Sequence, residues 1–491
     1  MAEFPLISIL IFVPIIAGIV TYPIGRASKS SAKWFALVIA IVELALGLYA
    51  YSQILGNGTG AKYNFVEGPT PWIPTLKGVD YYLGMDGLSG PLVLISAFLT
   101  VLVILGSRDL IKEKQGVYYA LILLFEGFII GVFTSLNMVL FYVFWDIVLL
   151  PMFFFIGVWG GPRRKYASMK FLLFTFVGSV FMLLGFILIY ILTPQNTFNI
   201  PELVGKIPLS LQPLLALLFF IGFGVKLPLV PFHTWLADAH VEAPAPISVF
   251  LAGLLLKMGG YGFLRFNLGL LPQASTDFGW AFIAVGIVTM FYGAIVAMVQ
   301  KDIKKMIALT SINHMGFVLV GAFTGTVVGI SGAIFQMFTH AAAVGVMFML
   351  SGYLHELTGT RDVTIIKGLK ITSPRFAALI ILGALAAMGV PMFSTFLAEY
   401  LVILGAISVD LRYGIIVLIP VITVAYFLWM MKRTVMSSPA EAAKHHDLGT
   451  LSTISLLVYL IPLIATLIVP WLILGMADPL SESLVKVLAA K

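Results

Sequence analysis

The 491-residue chain contains no cysteine, which excludes disulfides, thiolate metal sites and iron–sulfur ligation by its own side chains. The lack carries no information on compartment, since there is no thiol to oxidise. Charge is almost as scarce. Only 10% of residues are Asp, Glu, Lys or Arg, against 60% hydrophobic, whereas a water-soluble domain carries about 25% charged residues. Too little polar surface is left to cover a particle in water, and a lipid bilayer is the solvent that fits. There is no Gly-rich phosphate loop, nucleophile elbow or dinucleotide fingerprint, so nothing points to chemistry on a bound substrate. No His/Glu spacing suits zinc or haem, and no metal or cofactor is expected in this chain. The net charge of +7 does not indicate nucleic acid, because Lys and Arg sit in short loops between apolar runs rather than on one face.

What the chain has instead is long apolar runs. Stretches of about 20 apolar residues bounded by Gly, Pro or charge occur at 4–25, 33–55, 84–107, 117–136, 138–160, 169–193, 211–235, 245–271, 276–299, 303–325, 327–356, 374–407, 411–433 and 451–477. They predict an all-α polytopic membrane protein of about 14 transmembrane helices. The first run has neither a basic flank before it nor an Ala-x-Ala site, and reads as a retained span rather than a signal peptide. Basic residues then orient the set. After odd-numbered runs come Arg26, Lys29 and Lys33, then Arg108, Lys112 and Lys114, then Arg163, Arg164, Lys165 and Lys170. Further along, the same side collects Lys301, Lys304 and Lys305, Arg361, Lys367, Lys370 and Arg375, and Lys432, Arg433 and Lys444. After even-numbered runs come only Lys62, Lys77, Lys206 and Arg412. The positive-inside rule therefore puts both termini on the outer side of a cell (plasma or inner) membrane.

Two runs are interrupted by proline, the seventh at Lys226-Leu-Pro228 and Pro231, the twelfth at Gly389-Val-Pro391. Proline removes a helical hydrogen bond, and in lipid the freed carbonyl needs another partner. The segments around the breaks also resemble each other. Residues 231–238 align without gaps on 392–399, matching Asp238 to Glu399, and 177–185 align on 344–352. The offset spans five runs, an odd number, so the halves are expected to be inverted repeats. The expected organisation is 1–110 (helices 1–3), 117–271 (first repeat, helices 4–8), 276–433 (second repeat, helices 9–13) and 451–491 (helix 14 and tail). Inverted repeats around broken helices are the architecture of secondary transporters and ion carriers.

Ionisable residues stand inside these runs. Glu126, Asp146, Lys226, Lys257 and Glu399 lie within apolar stretches, with Glu43 and Arg265 as weaker candidates. A charged side chain at a helix centre costs about 2.5–3.5 kcal/mol on the insertion scale. Any one of them could be a snorkelling side chain or a structural ion pair, the preferred reading for Glu43 and Arg265. Five such residues in five helices are better explained as a polar line of alternating acid and base. Such a line suits protons, since burial pushes an amine toward neutrality and a neighbouring carboxylate pulls it back. Asp146 and Lys226 form the expected switchable pair, Lys257 the middle relay, and Glu399 the exit or the contact to a neighbour. His233, His240, His314 and His340 lie in the same segment of chain and exchange protons readily near neutral pH.

The runs Phe141–Met152, Trp159–Pro162, Lys226–Pro244 and Lys304–Gly316 resemble the antiporter-like membrane subunits of complex I, and the likeness covers nearly the whole chain. It implies fourteen helices in two inverted five-helix repeats, and assigns the fifth-helix acid to Asp146, the seventh-helix Lys to Lys226, the eighth-helix Lys to Lys257 and the twelfth-helix residue to Glu399. An acid in the twelfth helix and the lack of a long lateral helix after residue 477 fit the M type. The family usually has Glu at position 146. Asp shortens the reach by about 1.5 Å, so either the backbone lies closer to Lys226 or the pair is looser. The resemblance implies a proton-translocating subunit without redox chemistry of its own. Flavin, iron–sulfur clusters and a quinone-type acceptor would belong to partner subunits, with antiporter-like neighbours on both sides. A subunit of a multi-subunit Mrp-type cation/proton antiporter or of a membrane-bound hydrogenase is the alternative, and a structural spacer the third reading.

Overall fold

The computed structural model describes residues 4–438 and 446–489; Lys444, one of the orienting basic residues, lies outside them. The chain is mostly helical, in the order α1 (Leu6–Ala27), α2 (Lys29–Gly56), a hairpin of β1 (Asn64–Pro71) and β2 (Asp80–Met85), α3 (Ser89–Leu110), α4 (Gln115–Thr134), α5 (Met138–Trp159) and α6 (Arg164–Leu192). There follow α7 (Gln212–Lys226), α8 (Thr234–Glu242), α9 (Ala245–Leu268), α10 (Gly279–Met298), α11 (Ile303–Phe323) and α12 (Val327–Thr358). The last elements are α13 (Pro374–Ala387), α14 (Ser394–Val409), α15 (Leu411–Thr434), α16 (Thr450–Ile468) and α17 (Trp471–Ala489). Among the described residues, 12 helices are long and apolar enough to cross a membrane, and α7, α13 and α14 are shorter apolar helices. Side-chain caps set several starts. Asn137, Asp302 and Thr326 accept backbone N–H groups in the first turns of α5, α11 and α12, satisfying donors that have no partner within the helix.

Two layers of helix are distinguished by exposure. The best apolar window of α9, α11 and α12 is 100% buried, while that of α1, α2, α6 and α15 is 39% buried. The outer helices turn one face to lipid, and the inner three are wrapped by protein on every side.

Both proline segments open the helix as expected. Between α7 and α8 the chain leaves helical geometry at Leu227, and the indole of Trp235 donates to the Val225 carbonyl at 2.9 Å, taking up an acceptor that the break frees. Between α13 and α14 the Thr395 hydroxyl does the same for Ala386 at 2.7 Å. A third irregularity lies in α5, whose ladder is interrupted at Val148. Pro151 has no N–H for the Ile147 carbonyl one turn back, which puts the hitch beside Asp146.

Two expectations need correction. The run 84–107 begins as strand, because β2 pairs antiparallel with β1, so the fold is helical with one hairpin added. Glu67 of that hairpin accepts the N–H of Ile7 at 2.7 Å and of Ser8 at 3.1 Å, pinning the start of α1. The run 451–477 is two helices, not one. Pro470 ends α16, and α17 folds back so that Met476 lies on Gly60 and Gly87 beside the hairpin. The residues after 477, expected as a tail, are helical to Ala489. The hairpin, the start of α1 and α17 therefore share one face of the molecule.

Arg265 proves to be a structural ion pair, as preferred. Its guanidinium holds Asp86 bidentately, at 2.6 and 2.9 Å, and both side chains are buried, 7% and 1% exposed. Asp86 also accepts the N–H groups of Leu88 and Ser89 at 3.1 Å, tying the start of α3 to the end of α9. Removing one partner strands the other charge, at a cost of about 3–5 kcal/mol. Asp86→Ala is expected to lower the thermal unfolding midpoint of the detergent-solubilised protein, and Asp86→Leu with Arg265→Met to restore most of it; a destabilisation no smaller in the double variant would refute this account.

Candidate functional site: a buried row of ionisable side chains

Lys257 lies at the middle of α9 between two widened turns, Leu251–Leu255 and Phe263–Leu268, with π-helical spacing. Such turns free carbonyls from the regular ladder and recur at functional sites. The Ala252 carbonyl, in the first of them, accepts from Lys257 Nζ at 2.7 Å. On its other side the ammonium nitrogen stands 2.5 Å from His340 Nδ1, on α12. The His340 ring meets that of His314, on α11, edge to face at 5.1 Å and 84°. His314 Nε2 in turn lies 3.3 Å from Glu399 Oε1, on α14, though out of line for a hydrogen bond. Four helices thus bring Lys257, His340, His314 and Glu399 into one continuous row, none more than 3% exposed.

Backbone geometry holds the end of this row. Gly389, in the second break, has φ +68°, and a Cβ there would stand 2.7 Å from Glu399 Oε2. Glycine alone takes that conformation without strain and leaves room for the carboxyl. Beyond Glu399, Tyr426 and Thr310 share a hydrogen bond at 2.8 Å, and Asn313 donates to Thr423 at 3.0 Å, extending polar side chains along the α11–α15 seam.

The first half is arranged differently. Lys226 ends α7, is 1% exposed and has no hydrogen-bond partner. Its ammonium rests over the Trp145 ring, 4.9 Å from the centroid, a cation–π contact. Asp146, the residue after Trp145, forms no ion pair with it within 4 Å among the described residues. Asp146 Oδ1 has no hydrogen-bond partner, and the nearest polar neighbours of its carboxyl are Tyr142 and Ser179. Of the two geometries open for an Asp at this position, the structure has the looser one.

The remaining histidines bracket the row. His233 sits in the first break, edge-on to Tyr292 at 4.4 Å, away from Lys257. His240 is fully buried, stacked on Phe348 at 4.5 Å and 4°, with both ring nitrogens unpartnered. It lies within electrostatic reach of Lys257 and of Lys304. Glu126 is not part of the row, and its ionisable neighbour is Glu43.

Lys304 was missed as a buried group, having been counted with the loop cations. It is 3% exposed, donates to the Ala243 carbonyl, and lines a cavity of about 290 Å³ with Glu242, His355 and Arg361 at the basic end of the helices. The signal was its place two residues after the capping Asp302, inside the first helical turn rather than before it. Trp145 and Asp86 were missed as well, and nothing in their spacing marks them.

Every member of the row can both take and give a proton, and none is a nucleophile set against a base. Among the described residues no group of three or more His, Cys, Asp and Glu could hold a metal ion.

The comparisons with known proteins bear on this geometry. Residues 135–426 match the family described as NADH:quinone oxidoreductase/Mrp antiporter, TM, and residues 69–132 match NADH-ubiquinone oxidoreductase chain 4, amino terminus. The chain is 40% identical over 443 residues to NADH-quinone oxidoreductase subunit M of Rickettsia prowazekii, covering 89% of each chain. It superposes on a chain of respiratory complex I from Thermus thermophilus with a TM-score of 0.89 and 28% identity, over 98% of this chain and 99% of that one. A chain of the Mrp complex from Dietzia sp. matches with a TM-score of 0.87 over 99% of this chain and 100% of that one, at 19% identity, a likeness of fold. The length and identity of these matches place the protein: it belongs to the NADH:quinone oxidoreductase/Mrp antiporter transmembrane family.

Proposed function

We propose that the chain moves protons along its buried row as the M-type antiporter-like subunit of a complex I-like assembly. The observation that carries this is the unbroken contact Lys257–His340–His314–Glu399 across four helices. Titratable groups enclosed by apolar helices, covered by protein and lacking a saturating counter-ion such as the one Asp86 gives Arg265, carry a cost that points to function rather than to a staple.

In this reading Lys226 and Asp146 are the switch. The ammonium held over Trp145 is one position, and contact with the carboxylate is the other. Moving between them alters how strongly the amine holds its proton, so a charge moving nearby can load or release it. Lys257 receives the proton, His340 and His314 pass it on, and Glu399 hands it out or to a neighbouring subunit. His240, within electrostatic reach of both Lys257 and Lys304, belongs to the approach from the basic side, and His233 to the first break.

Electron transfer takes place elsewhere. The relatives are named as subunits of NADH-quinone oxidoreductase, so flavin, iron–sulfur clusters and a quinone-type acceptor belong to partner subunits, with antiporter-like neighbours on both sides. We further propose fourteen membrane crossings, counting each broken pair as one, with residues 117–271 and 276–433 as inverted repeats. Both termini then face outward from a plasma or inner membrane, with the cavity at Lys304 facing inward.

Three outcomes test this. Lys226→Ala and Glu399→Ala are each expected to leave the parent complex assembled while slowing proton translocation by about 100-fold or more, the usual scale for losing one acid–base group; unchanged proton-to-electron stoichiometry in both variants would favour a spacer. Asp146→Glu is expected to preserve pumping, since the longer arm closes the gap to Lys226, whereas Asp146→Asn should not. Gly389→Ala imposes a left-handed conformation costing about 1–2 kcal/mol and crowds Glu399, so pumping in membrane vesicles should fall while electron transfer to an uncoupled acceptor persists; full coupling in this variant would refute the part given to Gly389.

A further inference from the structure

The row leaves out two buried acids. Glu43 on α2 and Glu126 on α4 are both 0% exposed, each near the middle of its helix. They lie close enough to act on one another electrostatically. All four of their carboxylate oxygens lack a hydrogen-bond partner, and neither residue forms an ion pair among the described residues. Their surroundings offer no counter-charge. α1 packs on α4 with apolar side chains such as Ile15 against Gly127. α3 brings the hydroxyl of Thr100 beside Glu126, and that hydroxyl already donates to the Ser96 carbonyl at 2.9 Å.

Two observations independent of their acidity define what is missing. In packed interiors buried oxygens are nearly always satisfied, so four open acceptors in one place require a donor. The same spot also abuts the helix of Lys257. Phe125, adjacent to Glu126, stacks on Phe250 of α9 at 4.7 Å and 24°, and Leu99, adjacent to Thr100, lies on Gly253 of α9. Gly253 follows Ala252, whose carbonyl holds Lys257 Nζ.

We infer that Glu43 and Glu126 form a protonated, hydrogen-bonded carboxyl pair and a second arm of the conducting system, on the face of α9 that meets α3 and α4. Both carboxyls are protonated, and the hydroxyl of each donates to the carbonyl oxygen of the other, so the pair is neutral and its open oxygens gain partners. When a proton leaves, one O–H bond breaks and the remaining hydroxyl donates to the carboxylate so formed until the proton is replaced. Neighbouring carboxyls in a dry site do not both ionise, so one proton at a time is given up. The arm holds protons beside α9, the helix that carries Lys257, ready for release when the amine is empty. The inference rests on the proton-translocating reading for its use, but not for its chemistry.

The test uses the intact parent complex with Glu43→Gln, Glu126→Gln and the double variant, all close to isosteric, with assembly checked on native gels. The infrared difference between wild type and double variant at neutral pH is expected to carry a protonated-carboxyl C=O band that shifts in D2O. Carboxylate bands alone would mean that both acids are ionised around a bound cation, and would overturn the inference. The double variant is also expected to lose proton translocation relative to electron transfer, and a normal ratio beside an intact wild-type band would reduce the pair to packing and overturn the arm. If the double variant fails to assemble, the two single variants give the same pair of readouts. Should Lys226→Ala and Glu399→Ala leave pumping intact, the translocation reading fails, while the infrared band still decides whether the pair holds a proton.

Discussion

The architecture depends on the cost of ionisable groups that have no water. Each helix that carries one must find it a partner, because an isolated charge in apolar surroundings is worth several kcal/mol against the fold. Three solutions coexist in this chain. Asp86 and Arg265 neutralise each other through two hydrogen bonds and act as a fixed staple. Lys226 accepts an aromatic face instead of an anion. Lys257 leans on an imidazole and a backbone carbonyl, neither of which carries a full charge. Only the first is saturated. The other two leave the amine with open hydrogen-bonding capacity, and unsaturated groups are the ones that can change partners.

Irregular backbone is concentrated beside the same side chains. Both proline breaks, the hitch at Val148 and the widened turns of α9 lie beside an ionisable side chain, and each exposes carbonyls that a regular helix would consume. In lipid those carbonyls could not be tolerated. Here the Trp235 indole, the Thr395 hydroxyl and the Lys257 amine take them up. The backbone thus adds acceptors where the side chains need them, and the enclosing helices keep lipid away.

Much of this was legible in the chain itself. The apolar runs located each of the 12 helices long and apolar enough to span a membrane, and the two proline segments marked the breaks, because both signals follow from composition over many residues. Short-range signals were weaker. The hairpin went unread, since only Gly84 and Met85 fall in the run 84–107 and the rest of it lies in the segment between runs, where nothing marks the pairing of β1 with β2. The split at Pro470 was overlooked because apolar residues continue on both sides of it. Among the titratable groups, Lys257, His314, His340 and Glu399 share no sequence spacing. They meet only because α9, α11, α12 and α14 pack around one axis, which is information of tertiary structure. Lys304 and Glu43 illustrate the opposite error, as a cation near a helix start and an acid outside the repeats read as peripheral although both are buried.

The right angle between the His340 and His314 rings has a consequence for timing. His340 presents Nδ1 to Lys257, and His314 presents Nε2 to Glu399. A proton that arrives on one nitrogen of an imidazole and departs from the other leaves the ring in the opposite tautomer. Under the relay proposed above, each ring would then have to turn over, or exchange its proton by another route, before the next transfer, so the pair would work as a turnstile that admits one passenger per rotation.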